Sequence, residues 1–485
     1  MKTTKNYLDG TLKKLYAATE KELSANRTDG AMVALSSAAR ILYAANCVYT
    51  DKTAEDLLAK ITATLPTPAP AGQNAGRILF YDGFGFNNRG LVQIYLKALG
   101  KCGELIYVTH ERAKGTLPDV EKILESCNAT TLWLSGNTMF DLSLELCRIF
   151  DTYAPEKAFL YTMPNDVAAL AAFQKNHGSF HRYQVNLTDH AYWLGTAAFD
   201  TCIEFRDYGA SISRDRREIP ENKLVKLPFY PAIHYEAPFQ GYPFPVPEGA
   251  KVVFSGGSLY KTMGGEDRYY AMVDYILKKF PEVLFWYAGS GDASKLEQLI
   301  AKYPGRLFHT AERSDLFQVL EHCFLYLSTY PLCGGLMFQY AASAGRIPVT
   351  LRYDNVSDDF LLDQDHLGIQ FETLEQVYEE LDKLFTDNAY LTEKEQRVKA
   401  SVLDQAAFEQ GLSLLLAEGN SGYPITFKAP DTRAFLEEYL GALSRNTIAQ
   451  YLINKKSKCL FLYMPGRYLR GLIYKVKCKL EAKWK

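Results

Sequence analysis

The residue best suited to acid–base chemistry is His190, in the stretch LTDHAYWLG, with Asp189 beside it. Imidazole is the side chain whose proton affinity suits a general base near neutral pH, and a carboxylate can orient it. Such a histidine is equally able to serve as a structural hydrogen-bonding group, and adjacency in sequence does not put Asp189 in contact with it. A second chemistry is carried by small residues. SGGS, with Gly256, Gly257 and Ser258, then GSGD, then YPLCGG, with Cys333, Gly334 and Gly335, each follow an apolar run. So does DGFGFNNRG, which contains Gly83, Gly85 and Arg89. Glycine permits positive φ and close backbone approach, and N–H groups at the start of a helix attract an anion such as phosphate. A glycine loop taken alone is a turn as readily as a phosphate cradle.

The elements that must position these residues follow from the apolar pattern. Residues 252–254, 283–288 and 324–327 are short apolar runs that end in small or polar residues, each followed by a helical stretch. This reads as successive strand–loop–helix units of a parallel sheet, in which ligands collect at the carboxyl ends of the strands. The preceding half repeats the pattern: residues 78–81, ELIYVT, ATTLWLSG and KAFLYTMP alternate with helices such as DVEKILESC and SLELCRIFDTYA, and CIEF is the expected last strand. Two α/β halves joined near residue 240 by HYEAPFQGYPFPVPEGA imply a cleft, with donor and acceptor on opposite walls. The expected domains are a helical extension at 1–70, α/β domains at 71–240 and 241–430, and C-terminal helices with a basic tail at 431–485. The extension is expected to pack or to dimerise, and LPTPAPAGQNAG to link it to the first sheet.

The chain has 485 residues, 47% of them hydrophobic, and a net charge of −2. No global field advertises nucleic acid, and no base-stacking motif accompanies the charge. The distribution is uneven, however: residues 455–485 hold ten Lys or Arg against one acidic residue, Glu481. That segment interleaves basic residues with Leu, Phe, Tyr and Ile, as a stretch lying on an anionic membrane would; the alternative is a solvated basic tail. Nine cysteines without a C-x-x-C pair favour free thiols in a reducing compartment. The N-terminal residues lack an apolar signal-peptide core and no apolar run is long enough to span a membrane, so the expected location is cytoplasmic, at the inner face of the membrane.

Taken together these motifs resemble the glycosyltransferases of GT-B architecture, over about residues 77–385. The loop at 77–90 is similar to the N-domain glycine loop of that family, which implies donor contacts by Gly83, Gly85 and Arg89. RLFHTAERSDLFQVLEHCFLYLST resembles the stretch that holds the nucleotide base near His309 and Thr310. SLYKT and LSTYPLCGGLMFQYAASAGRIPVTL look like the peptide O-GlcNAc transferase branch and its bacterial relatives. The resemblance implies that Lys261 neutralises the donor pyrophosphate and that Gly334, Gly335 and Leu336 donate backbone hydrogen bonds to it, with Gly256, Gly257, Ser258 and Cys333 close by. A departing diphosphate needs such positive charge and oriented N–H groups. Arg313 and Arg89 are further candidate contacts to phosphate or base, or else surface charges. Gln339 stands near the place of the family's ribose-binding carboxylate. The glutamate pair of many retaining members is absent, since no acidic residue lies between Glu321 and Asp354.

The expected activity is therefore inverting transfer of a sugar from a nucleotide diphosphate donor, UDP-linked, to a lipid-linked glycan of a bacterial surface polysaccharide such as capsule. His190 is the expected base and Asp189 the second candidate. No D-x-D motif stands directly after a strand, so no metal and no cofactor beyond the donor is expected, and a homo-oligomer is compatible with the sequence. The rivals are a protein acceptor, a non-catalytic partner of an active transferase, and a nucleotide-sugar epimerase.

Overall fold

The computed structural model describes residues 2–68, 72, 74–87, 90–233, 235–352, 359–429, 432–441, 443–454 and 457–481. They form two compact units, one of residues 1–227 with 409–485 and the other of residues 228–408. The divisions thus fall at 227/228 and within the helix Gln405–Glu418, in place of the expected 240 and 430.

The first unit is built on seven strands: β1 Asn74–Asp82, β2 Glu104–His110, β3 Thr130–Leu134, β4 Pro155–Tyr161, β5 His181–Val185, β6 Thr201–Glu204 and β7 Leu224–Lys226. Their order is β3-β2-β1-β4-β5-β6-β7, and every neighbouring pair is parallel. Parallel strands are connected by helices that cover both faces, so their interiors are apolar on both sides; the last five residues of β1 are all buried. The strand begins at Asn74, inside the stretch expected to be a linker.

The helices at the two ends of the chain are part of this unit. Leu8, Leu12 and Leu35 near the N-terminus share one core with Leu79, Ile106 and Leu160 of the sheet and with Ile448, Leu452, Leu460, Met464 and Tyr468 near the C-terminus. The helical regions expected at 1–70 and 431–485 are thus present, and both pack within this unit. The buried residues of these helices pack against each other and against the core of the sheet.

The second unit has six strands: β8 Lys251–Gly256, β9 Val283–Ala288, β10 Leu307–Thr310, β11 Leu325–Leu327, β12 Pro348–Leu351 and β13 Gln370–Phe371. The order β10-β9-β8-β11-β12-β13 is again wholly parallel. Its direction of growth reverses between β8 and β11, and such reversals open a crevice at the carboxyl edge of a parallel sheet. The segment read as the interdomain linker is packed on this unit. Phe244 stacks on Phe308 with centroids 3.9 Å apart, Phe239 stacks on His322 at 4.0 Å, and the Gln240 N–H donates to Asp315 at 2.8 Å. Its aromatic residues have partners, which a flexible linker would not provide.

Candidate functional site

In the second unit the loops after β8 and β11 meet at the reversal point. After β8, the Gly257 N–H donates to Ala288 O at 3.0 Å, Tyr287 OH donates to Gly257 O at 2.9 Å and Leu259 N–H to Ser290 O at 2.8 Å. A β-carbon on Gly289 would lie 1.9 Å from Gly257 O, so the two loops touch backbone to backbone and the side of β8 facing β9 is closed. The chain then makes a short 3-10 turn, Leu259–Thr262, which carries Lys261. Lys261 O accepts from Leu332 N–H at 3.2 Å, which ties this turn to the loop after β11.

That second loop leads into the helix Gly335–Ser343, whose first intrahelical bond runs from Phe338 N–H to Gly334 O at 3.0 Å. The preceding N–H groups of Gly335, Leu336 and Met337 have no acceptor within the helix, as at every helix start. Lys261 Nζ stands 3.6 Å from where a β-carbon of Gly334 would lie, so its ammonium is at this helix's N-terminus. A cation beside the positive end of a helix dipole is unfavourable on its own and favourable when both face one anion. Gly335 is a packing requirement, because a β-carbon there would sit 2.3 Å from the Phe360 ring. Leu336 is exposed at the mouth of the loop, and Ser328 Oγ lies 3.2 Å from Cys333 Sγ behind it.

The remaining residues expected on this wall divide. His309 Nε2 is 2.9 Å from Gly289 O, and Thr310 Oγ1 accepts from Trp286 Nε1 at 2.9 Å, placing both at the carboxyl edge of β10. Arg313 is committed to the protein. It makes two bonds to Asp315, at 2.8 and 2.7 Å, donates to Gly241 O at 3.2 Å and lies over the Trp286 ring. Gln339 is also withdrawn, being 3% exposed with its amide nitrogen donating to Phe229 O at 2.8 Å and Phe360 O at 3.2 Å. Neither fits the donor role expected of it.

In the first unit the glycine loop after β1 differs from its expected use. Asp82 is fully buried, and its Oδ1 accepts from the N–H groups of Phe84 and Gly85 at 3.0 and 3.1 Å while Oδ2 accepts from Tyr107 OH at 2.8 Å. Gly83 N–H donates to Tyr161 O at 2.8 Å. The donors that would cradle a phosphate are therefore engaged by a carboxylate of the chain itself. Glycine at 83 allows close packing, since a β-carbon would meet Thr162 Oγ1 at 2.1 Å, and Gly85 has φ of +60°. Gly83 and Gly85 are thus turn residues, and Arg89 lies outside the described residues.

His190 sits in the loop between β5 and β6, and that loop is pinned from several directions. Asn46, at the left-handed cap of the helix Thr28–Ala45, donates to His190 O at 3.0 Å and accepts from Tyr192 N–H at 3.1 Å. Buried Arg217 donates to the carbonyls of Thr188, Asp189 and Ala191 at 3.2, 2.9 and 2.5 Å. Glu55 accepts from Gly195 N–H at 2.8 Å. The outcome is an imidazole side chain 37% exposed, with Nδ1 3.4 Å from Oδ1 of an Asp189 side chain only 1% exposed. A proton on Nδ1 directed at that carboxylate leaves Nε2 with its lone pair.

Asp189 is not itself a base. Arg206 grips it with bonds of 2.5 and 3.1 Å. Burial alone would raise its pKa, but the Arg206 charge and the hydrogen bonds from His190 and Arg206 hold the carboxyl well below the usual range. It is an orienting anion, and the second candidate for the base is corrected to that role. Sequence reading missed Asn46, Arg206 and Arg217. Replacing Asn46 with alanine strands the buried Tyr192 N–H and forces alanine into left-handed backbone, so denaturant melts should show a loss of about 2–4 kcal/mol.

No family model matches the chain, and no curated protein matches its sequence. Among solved structures, a mutant O-GlcNAc transferase from Thermobaculum terrenum is 15% identical, with a TM-score of 0.52, over 89% of this chain and 83% of that one. A UDP complex of MnaA from S. aureus, 14% identical with a TM-score of 0.46, covers 73% of this chain and 100% of its own. UDP-GlcNAc 2-epimerase from Neisseria meningitidis, bound to UDP-GlcNAc, is 11% identical with a TM-score of 0.45 over 70% and 98%. The first of these likenesses shows the fold: an α/β chain of the GT-B type with two Rossmann-like sheets and helical ends.

Proposed function

We propose that the protein is a glycosyltransferase that takes a sugar from a UDP-linked donor and passes it, with inversion, to a glycan on a lipid carrier in surface polysaccharide synthesis at the inner face of the membrane. The observation that carries this reading is the Lys261 ammonium at the N-terminus of the helix Gly335–Ser343, at the reversal point of the second sheet. One ammonium and a set of backbone N–H groups, converging on one place, suit the charge that develops as a diphosphate departs. His309 and Thr310, at the carboxyl edge of the same sheet, would take the nucleotide base. His190 accepts the acceptor hydroxyl's proton on Nε2 as the new glycosidic bond forms, and Asp189 stabilises the imidazolium that results. Lys261 and the helix supply the charge that a metal would otherwise bring.

A second reading, a non-catalytic partner of an active transferase, is favoured by the engagement of the first glycine loop, Arg313 and Gln339 in internal contacts. The two separate in one assay. Full-length protein is incubated with labelled UDP-, GDP- and dTDP-sugars, with and without a lipid-linked glycan extract. Label transferred only when extract is present supports the transferase. A changed sugar nucleotide without any acceptor points to an epimerase, transfer to polypeptide to a protein acceptor, and binding without product to the partner.

A further inference from the structure

The helix Pro465–Glu481 has two faces of different fate. One is held by the protein. Met464, Tyr468 and Gly471 are buried, and a β-carbon on Gly471 would lie 2.2 Å from Ala449 O, so the helix backbone rests directly on its neighbour. Arg467 donates to Tyr7 O at 3.2 Å and lies over the Tyr7 ring, and Lys475 Nζ reaches Ile453 O at 3.4 Å. The opposite face carries Leu469, Leu472, Ile473, Val476 and Leu480, exposed by 47, 38, 69, 56 and 55%. Their spacing of three and four places all five within an arc of about 100°. On the same wheel Lys479 borders the stripe on one side, and Lys477 and Arg470 border it on the other, Arg470 also reaching Asn446 Oδ1 at 3.4 Å and the Tyr7 ring. Phe461 and Leu462, in the preceding short helix Leu460–Tyr463, are 42 and 79% exposed.

We propose that this stripe is a docking face for an anionic lipid bilayer, with the helix lying in the interface plane and its protein-bound face turned inward. An apolar strip with basic residues along both borders matches a layer of acyl chains beneath negative headgroups. Two copies joined stripe to stripe would instead bring Arg470, Lys477 and Lys479 against their own kind, an arrangement that like charges oppose. Among the described residues no helix is long and apolar enough to cross a membrane, so the helix lies on the surface and does not span it. The proposal deepens the proposed function and rests on it for its purpose, since a lipid-linked acceptor is presented at a bilayer.

The test is co-sedimentation of the full-length protein with vesicles of phosphatidylcholine alone, or of phosphatidylcholine mixed equally with phosphatidylglycerol. Wild type pellets with the anionic vesicles, little with the neutral ones, and less as salt rises. The Ile473→Glu/Val476→Glu double variant, whose changes are both at exposed positions, loses at least about tenfold in partitioning while its melting temperature is kept. Arg470→Gln with Lys477→Gln and Lys479→Gln removes the preference for anionic lipid. Failure of wild type to bind anionic vesicles, or equal binding by the double variant, overturns the proposal. A dimer in velocity sedimentation that the double variant dissolves, with no vesicle binding, assigns the face to a second copy and also overturns it. No nucleotide enters the assay, so failure of the transferase reading leaves its result unchanged.

Discussion

Replacing His190 with alanine lowers the rate of sugar transfer by about 10²–10⁴-fold and leaves donor affinity where it was. The split follows from where the residue sits: in the loop between β5 and β6 of the first unit, while the proposed pyrophosphate contacts are all in the second. A group that takes a proton during the reaction affects turnover without affecting the binding of the leaving nucleotide. The side chain is 37% exposed, so its removal leaves no sealed cavity and the melting temperature should change little. Single-turnover transfer and donor titration of the same preparation give both numbers. A variant that transfers at the wild-type rate shows His190 to be a structural hydrogen-bonding group.

The second large effect concerns Lys261. Its conversion to alanine removes the one side-chain charge argued to face the pyrophosphate, and a charge-assisted contact of this kind contributes about 1.5–3 kcal/mol. Donor and free UDP should both bind about 10–100-fold more weakly, whereas the unmodified nucleoside should bind as before, because it lacks the phosphates. Gly334→Asp offers a sharper form of the same test. A β-carbon at 334 has only ordinary contacts, 3.6 Å from Lys261 Nζ and from Met337 Cβ, so the side chain is accommodated. Its carboxylate would satisfy both the lysine and the helix N-terminus, as an anion does at a helix start. Stability is expected to hold or rise while donor binding is lost. A loss of stability together with binding would mean that the glycine is needed for the backbone alone.

The second sheet was readable because its strands are apolar on both faces, so that residues 252–254, 283–288 and 324–327 stand out without any partner being known. The place of Lys261 was implied by the family resemblance alone, and the structure sets its ammonium 3.6 Å from where a β-carbon of Gly334 would lie. The glycine loop after β1 shows the opposite case. DGFG reads equally as a phosphate cradle and as a turn closed by its own aspartate, and only the burial of Asp82 with Tyr107 OH beside it decides between them. The support of His190 was not legible at all. Asn46 lies 144 positions away and Arg217 27, and neither has a local pattern that announces the contact. Helical periodicity in the C-terminal segment was visible, but the stripe at Met464, Tyr468 and Gly471 that packs and the stripe at Leu469, Ile473 and Val476 that does not have the same spacing. What distinguishes them is the helix Arg445–Gln450 against which one of them rests.

The most direct measurement of the central claim is calorimetric titration of full-length wild type and Lys261→Ala with UDP-, GDP- and dTDP-sugars. One nucleotide class should bind the wild type with a dissociation constant well below about 1 mM, and the variant should bind that same class at least about tenfold more weakly. If no nucleotide sugar binds the wild type at near-millimolar concentration, the second sheet holds no donor and the transferase account is wrong. Equal binding by wild type and variant would place the donor elsewhere than at Lys261 and Gly334, and contradict the site on which the account rests.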